Sequence, residues 1–182
     1  MSLQERYESK CQMGSDINEH LPTLKRYAEE CDHITEMGVR WVVSTYAFMM
    51  GKPKRMISYD IDPVENHGTS REELKTLALE VGVDFDFYVG DTTEITIEET
   101  DLLFIDTWHV YQQLKKELEL HAMNVKKYII FHDTTTFEFN GEGVGGHRGL
   151  WPAIAEFLVE NIDWEIHERF TNNNGLTILK RK

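Results

Sequence analysis

Two short, wholly apolar runs, residues 102–105 and 128–131, each end in acid and imidazole side chains, and together they constrain the fold more than any other feature. The runs are too short to be free-standing helices and they do not alternate, which is the pattern of strands buried on both faces of a parallel sheet. Between them Tyr111, Leu114, Leu118 and His121 fall at helical spacing, so residues 101–135 read as strand, crossover helix, strand. Both strands of such a unit end at the same sheet edge. Asp106, His109, His132 and Asp133 are therefore expected to gather outside the carboxyl ends, where open α/β sheets bind their ligands.

A chain of 182 residues, 41% of them hydrophobic, suits a single domain over residues 1–182. Its first 14 residues are polar and are expected to be loose. The net charge of −13 argues against a surface that tracks nucleic-acid phosphates or anionic lipid. The dense basic groups, Lys52/Lys54/Arg55 and residues 180–182, read as solvated loop and tail, so neither nucleic acid nor membrane is an expected partner. Cys11 and Cys31 are too few for a disulfide framework. The N-terminus has no apolar core of a secretory signal, and no run approaches the roughly 18 apolar residues of a membrane span. A cytoplasmic setting is expected by default, and the oligomeric state is open.

The remaining chain repeats the alternation. Ile17, Leu21, Leu24 and Ala28 share a helical face, with Pro22 tolerable in the first turn. A strand over 34–39 leads into a helix through residue 50, and a second strand covers 56–59. Ser70 and Glu73 form a capping box for a helix buried along Leu74, Leu77, Ala78 and Val81. Val83, Phe85 and Phe87 alternate with acids, as a strand near a sheet edge would. A glycine-rich loop over 134–149 follows the second apolar run, and its glycines suit a mobile lid. Trp151-Pro152 opens a helix. Trp164, Ile166 and Phe170, a turn at residues 172–175 and a last apolar run form a hairpin. The sum is an α/β, Rossmann-like doubly wound sheet, mostly parallel, with a C-terminal antiparallel hairpin.

Three further positions lie at strand ends. Gly38, after the first strand, lets backbone approach a ligand at a helix N-terminus. About twenty residues on, Asp60 ends the second strand, where a carboxylate can accept both ribose hydroxyls; Asp62 reads as a turn residue before Pro63. Gly90-Asp91 ends the third strand, where the acid can accept from an adenine amino group.

These residues resemble the class I S-adenosylmethionine-dependent methyltransferases over residues 33–182. Glu36-Met-Gly-Val-Arg stands where that family has its acidic-x-Gly cofactor loop. The resemblance thus implies S-adenosylmethionine bound by Glu36, Gly38, Asp60, Gly90 and Asp91. The runs Phe104-Ile-Asp-Thr-Trp-His109 and Phe131-His-Asp-Thr134 resemble, more narrowly, the metal-dependent O-methyltransferases related to macrolide-sugar methyltransferases, a branch partly described as cephalosporin hydroxylase-like. In that branch such residues hold a divalent cation. The resemblance implies Asp106, His132 and Asp133 as metal ligands, Mg²⁺ as the first choice of ion, and His109 as general base. Trp41-Val42-Val43 departs from the family's glycine pair, and Thr107-Trp108 from its small and acidic residues.

The chemistry is coherent without the resemblance. Methylating an alcohol requires its proton to leave as the oxygen attacks. A cation lowers the hydroxyl's pKa, and an imidazole takes the proton. The expected function is metal-assisted O-methylation of a small, sugar-like acceptor. Two rivals stand beside it: a non-catalytic binding protein on the same fold, favoured by Trp41-Val42-Val43, and a metal-dependent hydrolase or oxygenase using the acid/imidazole cluster alone.

Overall fold

The computed structural model describes residues 1–182. Seven strands, β1 (His33–Met37), β2 (Arg55–Asp60), β3 (Asp84–Val89), β4 (Thr100–Ile105), β5 (Val125–His132), β6 (Trp164–Phe170) and β7 (Leu176–Arg181), form one sheet in the order β3-β2-β1-β4-β5-β7-β6. The first five run parallel, and β7 inserts antiparallel between β5 and β6. Chain order reverses between β1 and β4. That is the switch point at which a doubly wound sheet opens a crevice.

Alternation along the strands decides which helices cover which face. Ile34, Met56, Phe104 and Ile130 share one core with α2 (Leu21–Ala28), α3 (Ser44–Met50) and α4 (Arg71–Glu80). Met37, Ile57, Leu103 and Ile129 join the other with α5 (Tyr111–His121) and α6 (Trp151–Glu160). Every residue of β4 is buried, as its unbroken apolar run requires. β3 lies at the sheet edge with an alternating burial pattern, and Pro22 sits in the first turn of α2.

Three local expectations are corrected. The first 14 residues are not loose: Leu3–Gln12 form helix α1. Ser2 and Glu5 make a reciprocal capping box, while Leu3, Tyr7 and Cys11, spaced by four, lay a narrow apolar stripe on the core. Arg6 fastens the helix by donating to the Tyr46 hydroxyl at 3.2 Å and to Glu73. Second, β1 stops at Met37 rather than residue 39, because Gly38 turns the chain with φ +85°. Third, only half of the Ser70 capping box forms. Ser70 Oγ accepts from Glu73 N at 3.1 Å, but the Glu73 carboxylate turns to Thr69 and Arg6.

Candidate active site

A cleft of about 550 Å³ opens at the carboxyl ends of β1 to β4, lined by Gly38, Asp60, Gly90, Asp91, Asp106 and His109 among others. Its size falls in the range of small-molecule sites. Gly38 is obligatory in this arrangement. A Cβ there would stand 2.0 Å from the Asp106 carbonyl oxygen, so only glycine lets the β1 loop ride over the end of β4. Asp106 N in turn donates to the Met37 carbonyl at 2.8 Å.

Asp60 lines the cleft and also shapes it. Its Oδ2 accepts from Val39 N at 2.7 Å and Arg40 N at 3.1 Å, and its Oδ1 accepts from Asp62 N at 2.9 Å. Asp91 Oδ1 accepts from the amide and hydroxyl of Thr93 at 2.8 and 2.7 Å, bonds that hold its carboxyl below the usual range. Trp41 and Val42 take left-handed backbone with φ 48° and 54°, and the Trp41 ring lies 4.4 Å from the Arg40 guanidinium, which is paired with Asp16 at 2.6 Å. Bulky residues thus stand where small ones suit the backbone. Trp41 itself is turned largely to solvent, while Val43 and Ser44 face the cleft.

Glu36 is the one cofactor candidate that does not line the cleft. Fully buried beneath the loop, it accepts from Ser44 and Ser58 hydroxyls at 2.6 Å each and from Thr45 at 2.9 Å. It therefore ties β1, β2 and the start of α3 together. Burial pushes its carboxyl up to about 7, against the pull of those three donors. The proton is held more tightly in the folded chain, so this group's contribution is most favourable below the unfolded pKa. It is lost as pH rises from about 4.5 toward 7. Relative to Glu36→Gln, the parent should lose about 2–3 kcal/mol of stability between pH 5 and pH 8. Urea unfolding of both proteins at the two pH values checks this, and parallel pH slopes would refute it.

The acid and imidazole side chains converge. β5 ends at His132, and Asp133 has φ 60°, so the chain has turned by one residue and both side chains reach the same point. His132 Nδ1 lies 3.3 Å from Asp106 Oδ1 and 3.4 Å from Asp133 Oδ2. His109 Nε2 lies 3.1 Å and 2.9 Å from the same two oxygens. Burial opposes the charges, but the two imidazoles hold Asp106 and Asp133 well below the usual carboxylate range, and the carboxylates raise His109 to about 10. Protonated imidazole here fills the electrostatic place of a cation.

The residues fit a divalent ion. Asp133 Oδ1 is buried with no hydrogen-bond partner, and ligand atoms of Asp106, His109 and Asp133 lie within 4.8 Å of one another. An orphaned carboxylate oxygen in a buried site calls for a donor or a metal. The two histidines differ in access. His132 is buried, and its Nε2 meets the main-chain carbonyls of Asp16 at 3.1 Å and Asn173 at 3.3 Å. Donation there leaves Nδ1 as the nitrogen that faces Asp106 and Asp133. His109 faces the cleft, stacked on Phe137 with ring centroids 4.7 Å apart.

The residue behind His109 comes from the glycine loop. Glu142 Oε2 accepts from His109 Nδ1 at 2.9 Å, and Glu142 N donates to the His109 carbonyl at 3.0 Å. The glycine loop is not free along its length. Gly141, Gly149 and Leu150 donate to His147, Phe139 and Phe137 carbonyls, which leaves only its tip open.

No family model matches the sequence, and no curated protein matches it significantly. Solved structures do match. An O-methyltransferase from Bacillus cereus in complex with SAH (S-adenosylhomocysteine) superposes with a TM-score of 0.65 at 14% identity, over 99% of this chain and 90% of that chain. The SAH-bound Podospora anserina methyltransferase PaMTH1 gives 0.63 at 17% identity, over 99% and 87%. The chain has the class I methyltransferase fold. The N-terminal domain of EvdMO1, determined in the presence of SAH and D-fucose, has the same methyltransferase fold, with a TM-score of 0.54 at 11% identity over 92% of this chain and 83% of that chain.

Proposed function

We propose that the chain is an S-adenosylmethionine-dependent methyltransferase that methylates an oxygen of a small polar acceptor with the help of a divalent cation. The observation that carries this reading is one cleft with two chemically distinct ends. Asp60 and Gly90-Asp91 stand at one end, and Asp106 and His109 line the other with buried His132 and Asp133 packed against them. The SAH in matching structures of the same fold supports the cofactor.

In this reading Asp60 accepts from the ribose hydroxyls and Asp91 from the adenine amino group, while the backbone around Gly38 closes over the donor. Glu36 supports that loop from beneath. Asp106, Asp133 and His132 Nδ1 would hold the cation; with those carboxylates so engaged they no longer keep His109 protonated, and its Nε2 takes the acceptor's proton. Glu142 keeps the His109 ring oriented by accepting its Nδ1–H, as a carboxylate orients a general base. When bound, the cation lowers the hydroxyl's pKa; a carboxylate-rich set suits Mg²⁺, and imidazole would admit Mn²⁺, Fe²⁺ or Zn²⁺.

The lining favours an acceptor without negative charge. Acids at Asp16, Asp60, Asp62, Asp91 and Glu142 face the cleft, and its one arginine, Arg40, is already paired with Asp16. Half-exposed Trp108, adjacent to His109, offers a flat apolar face beside the polar cluster, which suits a sugar ring. D-fucose in the EvdMO1 structure agrees with that choice. Calorimetry with SAH tests the core of the reading. Saturable binding in the parent protein is expected, and no heat at millimolar SAH would remove the methyl donor from the account.

A further inference from the structure

Glu117 is a fully buried acid in the middle of α5 that the reaction outlined above does not use. Three side chains from three elements donate to it. Thr92, just past β3, meets Oε1 at 2.5 Å; Gln113, one helical turn earlier, meets the same oxygen at 2.9 Å; Thr107, just past β4, meets Oε2 at 3.0 Å. Gln113 Nε2 also donates to Thr92 Oγ1 at 3.2 Å, and the Thr92 carbonyl accepts from His121 Nε2 at 2.8 Å. Thr92, Thr107 and Gln113 all line the cleft, and Thr92 directly follows Asp91.

The direction of these bonds matters more than their number. Burial pushes the Glu117 carboxyl up, but Thr92, Gln113 and Thr107 all meet it as donors and favour the ionised form. An ionised carboxylate has no proton to give, so both threonine hydroxyls spend their single hydrogen on Glu117. Both amide hydrogens of Gln113 are spent as well, on Glu117 and Thr92. What these side chains can still offer a ligand is lone pairs only. Asp91 adds a carboxylate, which also only accepts.

From this juxtaposition we infer that Glu117 sets the hydrogen-bond polarity of the cleft wall, making its side chains acceptors only, so that the site selects a ligand edge carrying N–H donors over one carrying a carbonyl. The inference rests on the cofactor reading above, and it names a specificity determinant that never touches the ligand. A 6-aminopurine presents two donors to such a wall. A 6-oxopurine puts a carbonyl in the place of that amino group and keeps a donor only at N1–H; where the wall meets position 6, the carbonyl would be buried against lone pairs without a partner. Glu117 is a positioning residue acting through Thr92, Thr107 and Gln113.

The test uses the full chain, calorimetry, and two probes that differ at that one edge: S-adenosylhomocysteine and its deaminated counterpart S-inosylhomocysteine. The parent should prefer the amino ligand by about tenfold or more, the effect of one unpaired buried polar group. In Glu117→Gln the carboxamide donates to a threonine hydroxyl and turns that hydrogen toward the ligand. The preference should then fall to about threefold or less, with the melting temperature nearly unchanged. A purely structural role would weaken both ligands together and leave their ratio alone. Should Glu117→Gln fail to fold, Thr107→Val carries the test. It should lose the preference, and Thr107→Ser should keep it. An unchanged ratio in folded Glu117→Gln or Thr107→Val overturns the inference, as does a parent that binds both ligands equally. A parent that binds neither overturns the cofactor reading itself.

Discussion

Asp106→Asn and Asp133→Asn are expected to abolish divalent-metal binding together with activity, whereas His109→Ala should keep the metal and slow methyl transfer by roughly 10²–10⁴-fold, the usual contribution of a general base. The two histidines stand almost equally close to the same carboxylate oxygens, so distance alone does not assign their roles. Surroundings separate them. His132 is sealed in and held on its far side by two main-chain carbonyls, a ligand's setting. His109 opens to the cleft and is backed by Glu142, a base's setting. The rate left in His109→Ala should climb with pH as hydroxide substitutes for the ring. Metal content by elemental analysis and single-turnover rates decide the matter. If His109→Ala strips the metal, that histidine is a ligand; if neither aspartate affects metal content, there is no metal site at this edge.

The second large effect is expected at the other end of the cleft. Asp60→Ala should weaken S-adenosylmethionine binding by about 1.5–3 kcal/mol, the range for hydrogen bonds to a charged group, and Asp62→Ala should change it little. Asp60 also accepts three main-chain N–H groups, so its loss loosens the β1 loop. Asp60→Asn separates the two contributions, because one amide oxygen can still accept from that loop while the charge is gone. Calorimetry beside a thermal melt reads both. Equal losses at Asp60 and Asp62 would show that the wrong carboxylate had been chosen.

Much of this architecture was legible in the sequence because its signals are local. Unbroken apolar runs mark buried parallel strands, alternating acids mark β3 as the edge, and residues 172–175 mark the hairpin turn. Helix α1 was missed because its buried stripe is a single leucine with two partly covered partners, too weak against a polar background. Its Ser2-x-x-Glu5 cap was there to be read. Glu36 sits differently from its expected place, for another reason. The resemblance puts an acid two residues before Gly38, but strand alternation turns it toward Ser44 and Thr45 rather than into the cleft lining. The pairing of Glu142 with His109 and the role of Glu117 carry no local signal. Among 32 acidic residues, the one that backs His109 lies 33 positions away, and only the folded loop brings it there.

The contact between Gly38 and the Asp106 carbonyl bears on how such a protein could choose its substrates. The loop over the donor and the strand end that carries the acid cluster belong to one sheet and touch directly, without a hinge between them. In the proposed reading, the reach from methyl donor to acceptor oxygen is then a fixed ruler, set by the spacing of β1 and β4. An acceptor whose hydroxyl falls short of that span cannot be rescued by domain closure. Divergence in acceptor size would have to be written into the exposed tip at residues 143–146, beyond Glu142, where the chain can lengthen or shorten while the ruler stays the same.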